Sequence, residues 1–168
     1  MLIDAARLVF FPALMAFAAS SDLLTMTISN RISLALVTIF LILAVLIGMP
    51  PTDIAACAGA GVVVFAVGFV FFARGWIGGG DAKLAAAVAL WFGWAHLFEY
   101  LLYASLIGGV LTLALIELRR HKLPAILAGR DWAERLHKPD GGIPYGIALA
   151  LAALLVYPST VWMVISGS

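Results

Sequence analysis

The segment WIGGGDAK, residues 76–83, lies between two long apolar runs of the chain. Nothing in a simple membrane anchor requires such a segment. An aspartate at the centre of a membrane-spanning helix costs roughly 2.5–3.5 kcal/mol on insertion scales, so an acid inside a membrane or at its edge is a candidate functional residue. The carboxylate that follows three glycines, Asp81, is therefore the first residue to explain.

The composition indicates a membrane protein. The chain has 168 residues, of which 64% are hydrophobic and only 11% are charged, and its mean hydropathy is +1.11. Soluble domains average about a quarter charged residues, so lipid is the expected solvent for this surface. The net charge of +1 argues against a nucleic-acid partner. One cysteine, Cys57, and three histidines without metal-binding spacing predict no disulfide framework, metal or cofactor.

Charge-free runs predict an all-α, polytopic membrane protein with a single integral-membrane domain over residues 1–168. About twenty helical residues cross the hydrocarbon, and the runs suggest about six transmembrane helices. The fourth is short, and its aromatic end predicts an interfacial belt of Trp91, Phe92 and Trp94. The predicted spans are 3–23, 32–49, 54–73, 82–94, 96–118 and 143–165, with a cytoplasmic loop over 119–142.

The first apolar segment has an alternative interpretation as a cleaved signal peptide, because Ala16-Phe17-Ala18 could pass for a signal-peptidase site. However, Asp4 offsets Arg7, so the segment lacks the positive region that precedes a signal peptide. These two residues lie one helical turn apart and can pair at the interface. We therefore expect a retained first helix.

The basic residues predict the orientation. With six spans, every lysine and arginine except Arg7 falls on one side of the membrane. The positive-inside rule makes that side cytoplasmic and puts both termini outside. Asp22, at the end of the first span, and Asp81, at the start of the fourth, then both face the cytoplasmic edge. Within the 119–142 segment we expect either a short amphipathic helix on the membrane surface or a solvated loop.

Two aspartates at one depth can form a chemical pair. Two close carboxylates cannot both ionise cheaply, so they share a proton, leaving one base to activate water and one acid to polarise a carbonyl, as in aspartyl proteases. Asp81 is expected near a helix N-terminus and Asp22 near a helix C-terminus. The helix dipoles therefore predict that Asp81 holds the charge and Asp22 the proton, as one microstate of a coupled pair.

The three glycines before Asp81 have two interpretations. Residues without a Cβ let an enzyme approach an extended substrate backbone closely, which suits Gly78, Gly79 and Gly80. Alternatively, the glycines form a flexible turn and Asp81 is an ordinary helix N-cap.

The motifs resemble those of a known family. Gly78-Gly79-Gly80-Asp81, followed by Ala82-Lys83-Leu84, resembles the GxGD signature of membrane aspartyl proteases in the GDxKL form of the prepilin peptidases. The stretch from Asp22 to Asn30 is similar to the first catalytic region of that family, with Ser29 where a proline is expected. The segment GIPYG, residues 142–146, resembles the motif that begins the family's last helix.

The resemblance implies a type IV prepilin peptidase of the short, peptidase-only branch associated with tight-adherence (Flp-type) pili. Larger members carry CxxC pairs in a cytoplasmic insert and also methylate the pilin, whereas this chain has one cysteine and no room for the insert. The implied substrate is a prepilin, cut at the cytoplasmic face of the bacterial inner membrane between its short basic leader and its hydrophobic helix. The implied catalytic residues are Asp22 and Asp81, and the implied motif or substrate-approach residues are Gly78, Gly79, Gly80, Lys83, Asn30, Pro144, Tyr145 and Gly146.

Other interpretations stay open. A small transporter or proton-relay protein could use paired acids to carry ions, and a non-catalytic scaffold subunit of a pilus or secretion machine would not need them. Lys83 is expected to be a cytoplasmic-edge anchor rather than a catalytic residue, and Tyr145 either covers the site or marks the interface. The sequence predicts no oligomeric state.

Overall fold

The computed structural model describes residues 2–124, 127, 129–139 and 141–163, with side chains from residue 6 onward. Within these residues there is no β-strand, which confirms the all-α prediction. The side chain of Asp4 lies outside the described part, and with it the predicted pair with Arg7. The elements are α1 (Leu2–Thr25), α2 (Asn30–Leu46), α3 (Pro51–Ala73), α4 (Gly79–Arg120), α5 (Asp131–His137) and α6 (Tyr145–Val156), followed by a 3-10 turn (Tyr157–Ser159).

Three stretches of the described chain are long and apolar enough to cross a membrane: Ala6–Thr25, Pro51–Ala73 and Gly79–Arg120. Two shorter apolar helices, Asn30–Leu46 and Tyr145–Ser159, complete the bundle. Because a span needs about twenty helical residues, these lengths confirm an integral membrane protein with several membrane-crossing helices.

The longest helix, α4, is broken at Gly93, where φ is 57° and ψ is −166°. This conformation is accessible essentially only to glycine. The break divides α4 into a first limb, residues 79–92, and a second limb, residues 94–120. The two limbs cover the two segments, 82–94 and 96–118, in which the sequence predicts separate spans.

Helix α3 runs antiparallel to the first limb of α4. Gly68 lies against Ala82 near the start of the limb, and Gly61 lies against Ala86 and Leu90 further along. A Cβ on Gly68 would stand 3.1 Å from the Cβ of Ala82. Small residues here let the two helices approach closely, as is common in membrane bundles.

The predicted aromatic belt is wrong for two of its three members, because Trp91 and Phe92 are buried and only Trp94 is exposed. The indole N–H of Trp91 donates to the carbonyl of Leu36 at 3.0 Å, and the indole N–H of Trp162 donates to the carbonyl of Trp91 at 2.6 Å. Buried indole groups need such partners. The aromatic end of the first limb is therefore part of the core.

The last helix is shorter than the predicted span 143–165. It begins at Tyr145 and ends at Val156, and the 3-10 turn that follows contains Pro158. Proline lacks the N–H that would continue the helix, which accounts for the change. Residues 164–168 lie outside the described part.

The charged segment after α4 contains a short helix, α5, so the helix in the first alternative is confirmed, while its location on the membrane surface stays a prediction. Ala133 and Leu136 of α5 are buried, while Asp131 and Glu134 are exposed. The helix lies across the ends of α1 and α4, which it contacts.

Candidate active site

Asp22 lies near the end of α1 and is only 5% exposed. Its Oδ2 accepts a hydrogen bond of 2.7 Å from the N–H of Gly146, and the N–H of Ile147 also interacts with it. Since α6 begins at Tyr145, both N–H groups belong to its first turn, where the N–H groups lack the usual intrahelical acceptor; that of Ile147 also donates to the N-cap carbonyl of Pro144 at 3.2 Å. Asp22 therefore occupies the anion-binding position at the N-terminus of α6.

Asp81 lies in the first turn of α4. Its Oδ2 accepts a hydrogen bond of 3.3 Å from the N–H of Gly78. The helix begins at Gly79, so Gly78 is the N-cap residue and Asp81 is the third helical residue. The interpretation of Asp81 as an N-cap is therefore wrong, although its carboxylate does bond the N-cap backbone, as the acid of a capping box does.

The structure brings the two acids to one end of the bundle, because Asp22 bonds Gly146 and Asp81 directly follows Gly80, and Ile28 of the α1–α2 loop packs against both of these glycines. A Cβ on Gly80 would stand 3.1 Å from the Cβ of Ile28, and a Cβ on Gly146 would stand 2.6 Å from its Cδ1. The three motifs noted in the sequence thus meet around one aliphatic side chain.

The location of the shared proton stays a prediction. The sequence predicts Asp81 near a helix N-terminus and Asp22 near a helix C-terminus. In the structure Asp22 also faces the N-terminus of α6, so both acids receive backbone N–H groups. The helix dipoles consequently do not distinguish the two carboxyl groups.

The glycines before Asp81 pack against the protein itself. A Cβ on Gly79 would stand 3.2 Å from the ring of Phe72, and Gly80 lies against Ile28. Gly78 is exposed, and a Cβ there would stand 2.7 Å from Oδ2 of Asp81. The missing Cβ atoms of Gly79 and Gly80 therefore allow neighbouring parts of the protein to pack closely here. Their role in the approach to a substrate backbone stays a prediction.

Asn30 and Lys83 contact each other across two helices. The Nζ of Lys83 donates to the Oδ1 of Asn30 at 2.9 Å, joining the start of α2 to the first limb of α4. Ser29, which stands where the family pattern has proline, is the N-cap residue of α2, and its Oγ accepts from the N–H of Arg31 at 3.3 Å. Although Ser29 departs from the family pattern, it therefore caps the start of α2.

Pro144 and Tyr145 hold the start of α6. Pro144 is buried and is the N-cap residue of the helix. The Tyr145 hydroxyl lies 3.2 Å from Oγ1 of Thr112, and a Cβ on Gly108 would stand 2.8 Å from the tyrosine ring. Tyr145 thus packs on the second limb of α4 beside the turn of α6 that faces Asp22.

Sequence reasoning missed two arginines that hold this end of the molecule together. The Arg119 side chain donates to the carbonyls of Leu136 and Gly142, both at 2.8 Å. The Arg135 side chain donates to the carbonyl of Leu24, two residues after Asp22. The sequence indicates only positive-inside charge for both, because no spacing distinguishes them from the neighbouring basic residues.

Paired carboxyl groups of this kind can exchange protons with a water molecule and with a polarised carbonyl group. Among the described residues, no group of three or more histidine, cysteine, aspartate and glutamate side chains is placed to hold a metal ion. Two carboxyl groups at one end of the bundle are themselves capable of acid–base chemistry.

A family model described as the type IV leader peptidase family matches residues 9–113. The match includes Asp22, Asn30 and the glycines with Asp81, and it ends before the GIPYG segment. The comparisons with curated proteins and with solved structures give no significant match.

Proposed function

The chain belongs to the type IV leader peptidase family, and on that premise we propose that it is a membrane aspartyl endopeptidase with Asp22 and Asp81 as its catalytic pair. Its reaction removes the short leader from prepilin-like precursors. The observation that carries the proposal is the convergence of these two acids, remote along the chain, on the α1–α2 loop.

The proposed chemistry follows from two carboxyl groups that share one proton. The ionised carboxylate accepts a proton from water while the oxygen of that water attacks the carbonyl carbon of the scissile peptide. The protonated carboxyl polarises the carbonyl oxygen. The C–N bond then breaks, the amine leaves with a proton from the pair, and the precursor is released as leader and mature chain. Acid and base catalysis each contribute about a hundredfold or more.

The finer parts of the proposal rest on the sequence. The clustered basic residues support cleavage at the cytoplasmic face of the inner membrane. The GIPYG segment supports an Flp-type substrate. A single cysteine and the short connection between α1 and α2 support peptidase activity without methyltransferase activity.

Co-expression with an Flp-type prepilin tests the proposal. Asp22→Asn and Asp81→Asn should each slow leader cleavage by about a hundredfold or more, at normal protein level. Asp53→Asn is the matched control, because Asp53 lies exposed in the first turn of α3 and away from the site. Since Asp22 also faces α6, thermal unfolding of each variant separates lost chemistry from lost folding.

Maturation of the precursor at the native rate by the double variant Asp22→Asn/Asp81→Asn would contradict the proposal. That result would favour a scaffold subunit. A different pair of results would favour a proton-relay protein: the native protein carries protons across liposomes but cleaves no precursor, and the same variants lose the proton flux.

A further inference from the structure

A cleft of about 540 Å³ lies between α2, α3 and the first limb of α4. Each of the three helices contributes four lining residues at the spacing i, i+3, i+4 and i+7, within positions 30–37, 58–65 and 83–90. At a rise of 1.5 Å per residue, this spacing corresponds to about 10 Å, or two helical turns. The cleft therefore runs along the helices rather than across them.

The lining of the cleft is almost entirely apolar, and its polar groups lie toward one end. The Lys83–Asn30 hydrogen bond of 2.9 Å marks that end. Lys83 follows Asp81 by two residues, a rise of about 3 Å along the helix. Asn30 follows Ile28 by two residues, and Ile28 contacts Gly80 beside Asp81 and Gly146 beside Asp22. The polar end of the cleft is thus continuous with the candidate active site.

We propose that this cleft binds the apolar α-helix of the precursor substrate, with the helix ending next to the scissile bond. The inference rests on the proposed function and names the part of the same site that holds the substrate in the membrane. A peptidase that cuts directly before a hydrophobic helix must accommodate that helix beside its acids. The cleft leads away from Asp81 into the apolar part of the bundle.

The shape of the walls favours a helix over a lipid chain. Ala58, Gly61, Ala86 and Ala87 line the cleft with small side chains. A helix backbone can therefore approach the walls closely, as in small-residue packing between membrane helices. A lipid chain does not require such close approach. In this arrangement, the start of the bound helix determines which peptide bond reaches the acids.

Blocking the cleft tests the proposal. Ala58 is exposed and lines the cleft, so Ala58→Trp fills the groove without disturbing the core. Ala56→Trp is the matched control, because Ala56 is equally exposed on α3 but does not line the cleft. Two substrates are compared, the full precursor and a soluble peptide that ends a few residues after the cleavage site.

We expect Ala58→Trp to lower kcat/KM for the full precursor by about tenfold or more, the loss associated with a central contact, and to leave the soluble peptide unaffected. Ala56→Trp should cleave both substrates like the native protein. Cleavage of the full precursor by Ala58→Trp at the native rate would overturn the cleft proposal while leaving the peptidase intact. Failure of the native protein to cleave either substrate would instead overturn the proposed function.

Photo-crosslinking settles the case in which Ala58→Trp loses both substrates. A photoreactive residue at Val62, which lines the cleft, should capture the uncleaved precursor in an Asp81→Asn background, where cleavage is blocked. The same residue at Val63, which is exposed outside the cleft, should not. Capture of lipid alone at position 62, or equal capture of precursor at both positions, would overturn the proposal.

Discussion

Asp22 accepts a hydrogen bond of 2.7 Å from the backbone N–H of Gly146, which lies 124 residues further along the chain. This bond joins the end of the first helix to the start of the last one. It also explains why the GIPYG segment ends in glycine. A Cβ at this position would stand 2.7 Å from Oδ2 of Asp22 and 3.0 Å from its Cβ. One backbone group and one missing side chain thus fix the position of the first acid.

Gly146→Ala should therefore lower leader cleavage by about a hundredfold, since a displacement of about 1 Å in catalytic groups has that effect. Overpacking should also destabilise the fold by about 1–3 kcal/mol. Cleavage assays and thermal unfolding in detergent measure both effects. Gly109→Ala is the control, because a Cβ on Gly109 meets nothing within 4 Å. Equal activity of the two variants would refute this account of Gly146.

Arg119→Lys should loosen the connection between α4, α5 and the segment before α6. Lysine keeps the charge but lacks the planar group that reaches the carbonyls of Leu136 and Gly142 together. We expect a loss of about 1–3 kcal/mol in unfolding free energy, as for hydrogen bonds made by a charged group. Hydrogen exchange at residues 141–146 should rise.

The neighbouring residue provides the control for Arg119. Among the described residues Arg120 pairs with the exposed Glu117, and such surface pairs contribute about 0–1 kcal/mol. Arg120→Lys should therefore leave stability and exchange unchanged. If Arg119→Lys behaved in the same way, Arg119 would contribute charge alone.

Gly93→Ala should destabilise the protein for two separable reasons. The backbone conformation at Gly93 costs a residue with a Cβ about 1–3 kcal/mol. In addition, the new Cβ would stand 3.0 Å from the Sγ of Cys57. Thermal unfolding in a Cys57→Ala background removes the second cause and keeps the first. Full recovery of stability in that background would show that the backbone conformation costs nothing.

Ser29→Pro should be tolerated. The φ of Ser29 is −64°, which is the value that proline adopts, and the Ser29 N–H has no acceptor among the described residues. Loss of the hydroxyl contact with Arg31 costs about 1 kcal/mol, and the stiffer unfolded chain returns about 0.4–1 kcal/mol. Unfolding free energy and cleavage should both stay near native values. A loss of several kcal/mol would mean that the loop needs the serine for another reason.

Local properties of the sequence were enough to predict the all-α fold and to single out two acids that the structure brings to one end of the bundle. Charge-free runs identify membrane spans because charged groups are costly in hydrocarbon, and such spans are helical because no water is present there to bond the backbone. Asp22 and Asp81 stood out because acids at the ends of such runs are expensive. The aromatic residues at the end of the first limb misled the prediction, because burial of Trp91 depends on the Leu36 and Trp162 contacts, which no local pattern shows.

Long-range contacts explain what the sequence could not show. The Gly146–Asp22 bond and the Arg119 contacts join segments that are distant along the chain. A glycine before or after an apolar run is equally consistent with a turn, a helix cap or close packing. Only the residues that surround it in the fold show which of these roles it has. The apolar cleft had no sequence signal either, because its walls look like ordinary lipid-facing helices.

The position of Ile28 gives a hydrophobic residue influence over the geometry of the site. It lies within the Asp22–Asn30 stretch and packs against Gly80, which precedes Asp81, and against Gly146, which bonds Asp22. The contact with Gly80 is made by its Cβ and backbone, whereas the contact with Gly146 is made by its Cδ1. Ile28→Val would therefore loosen the packing beside one acid and leave the packing beside the other unchanged, without altering any polar group.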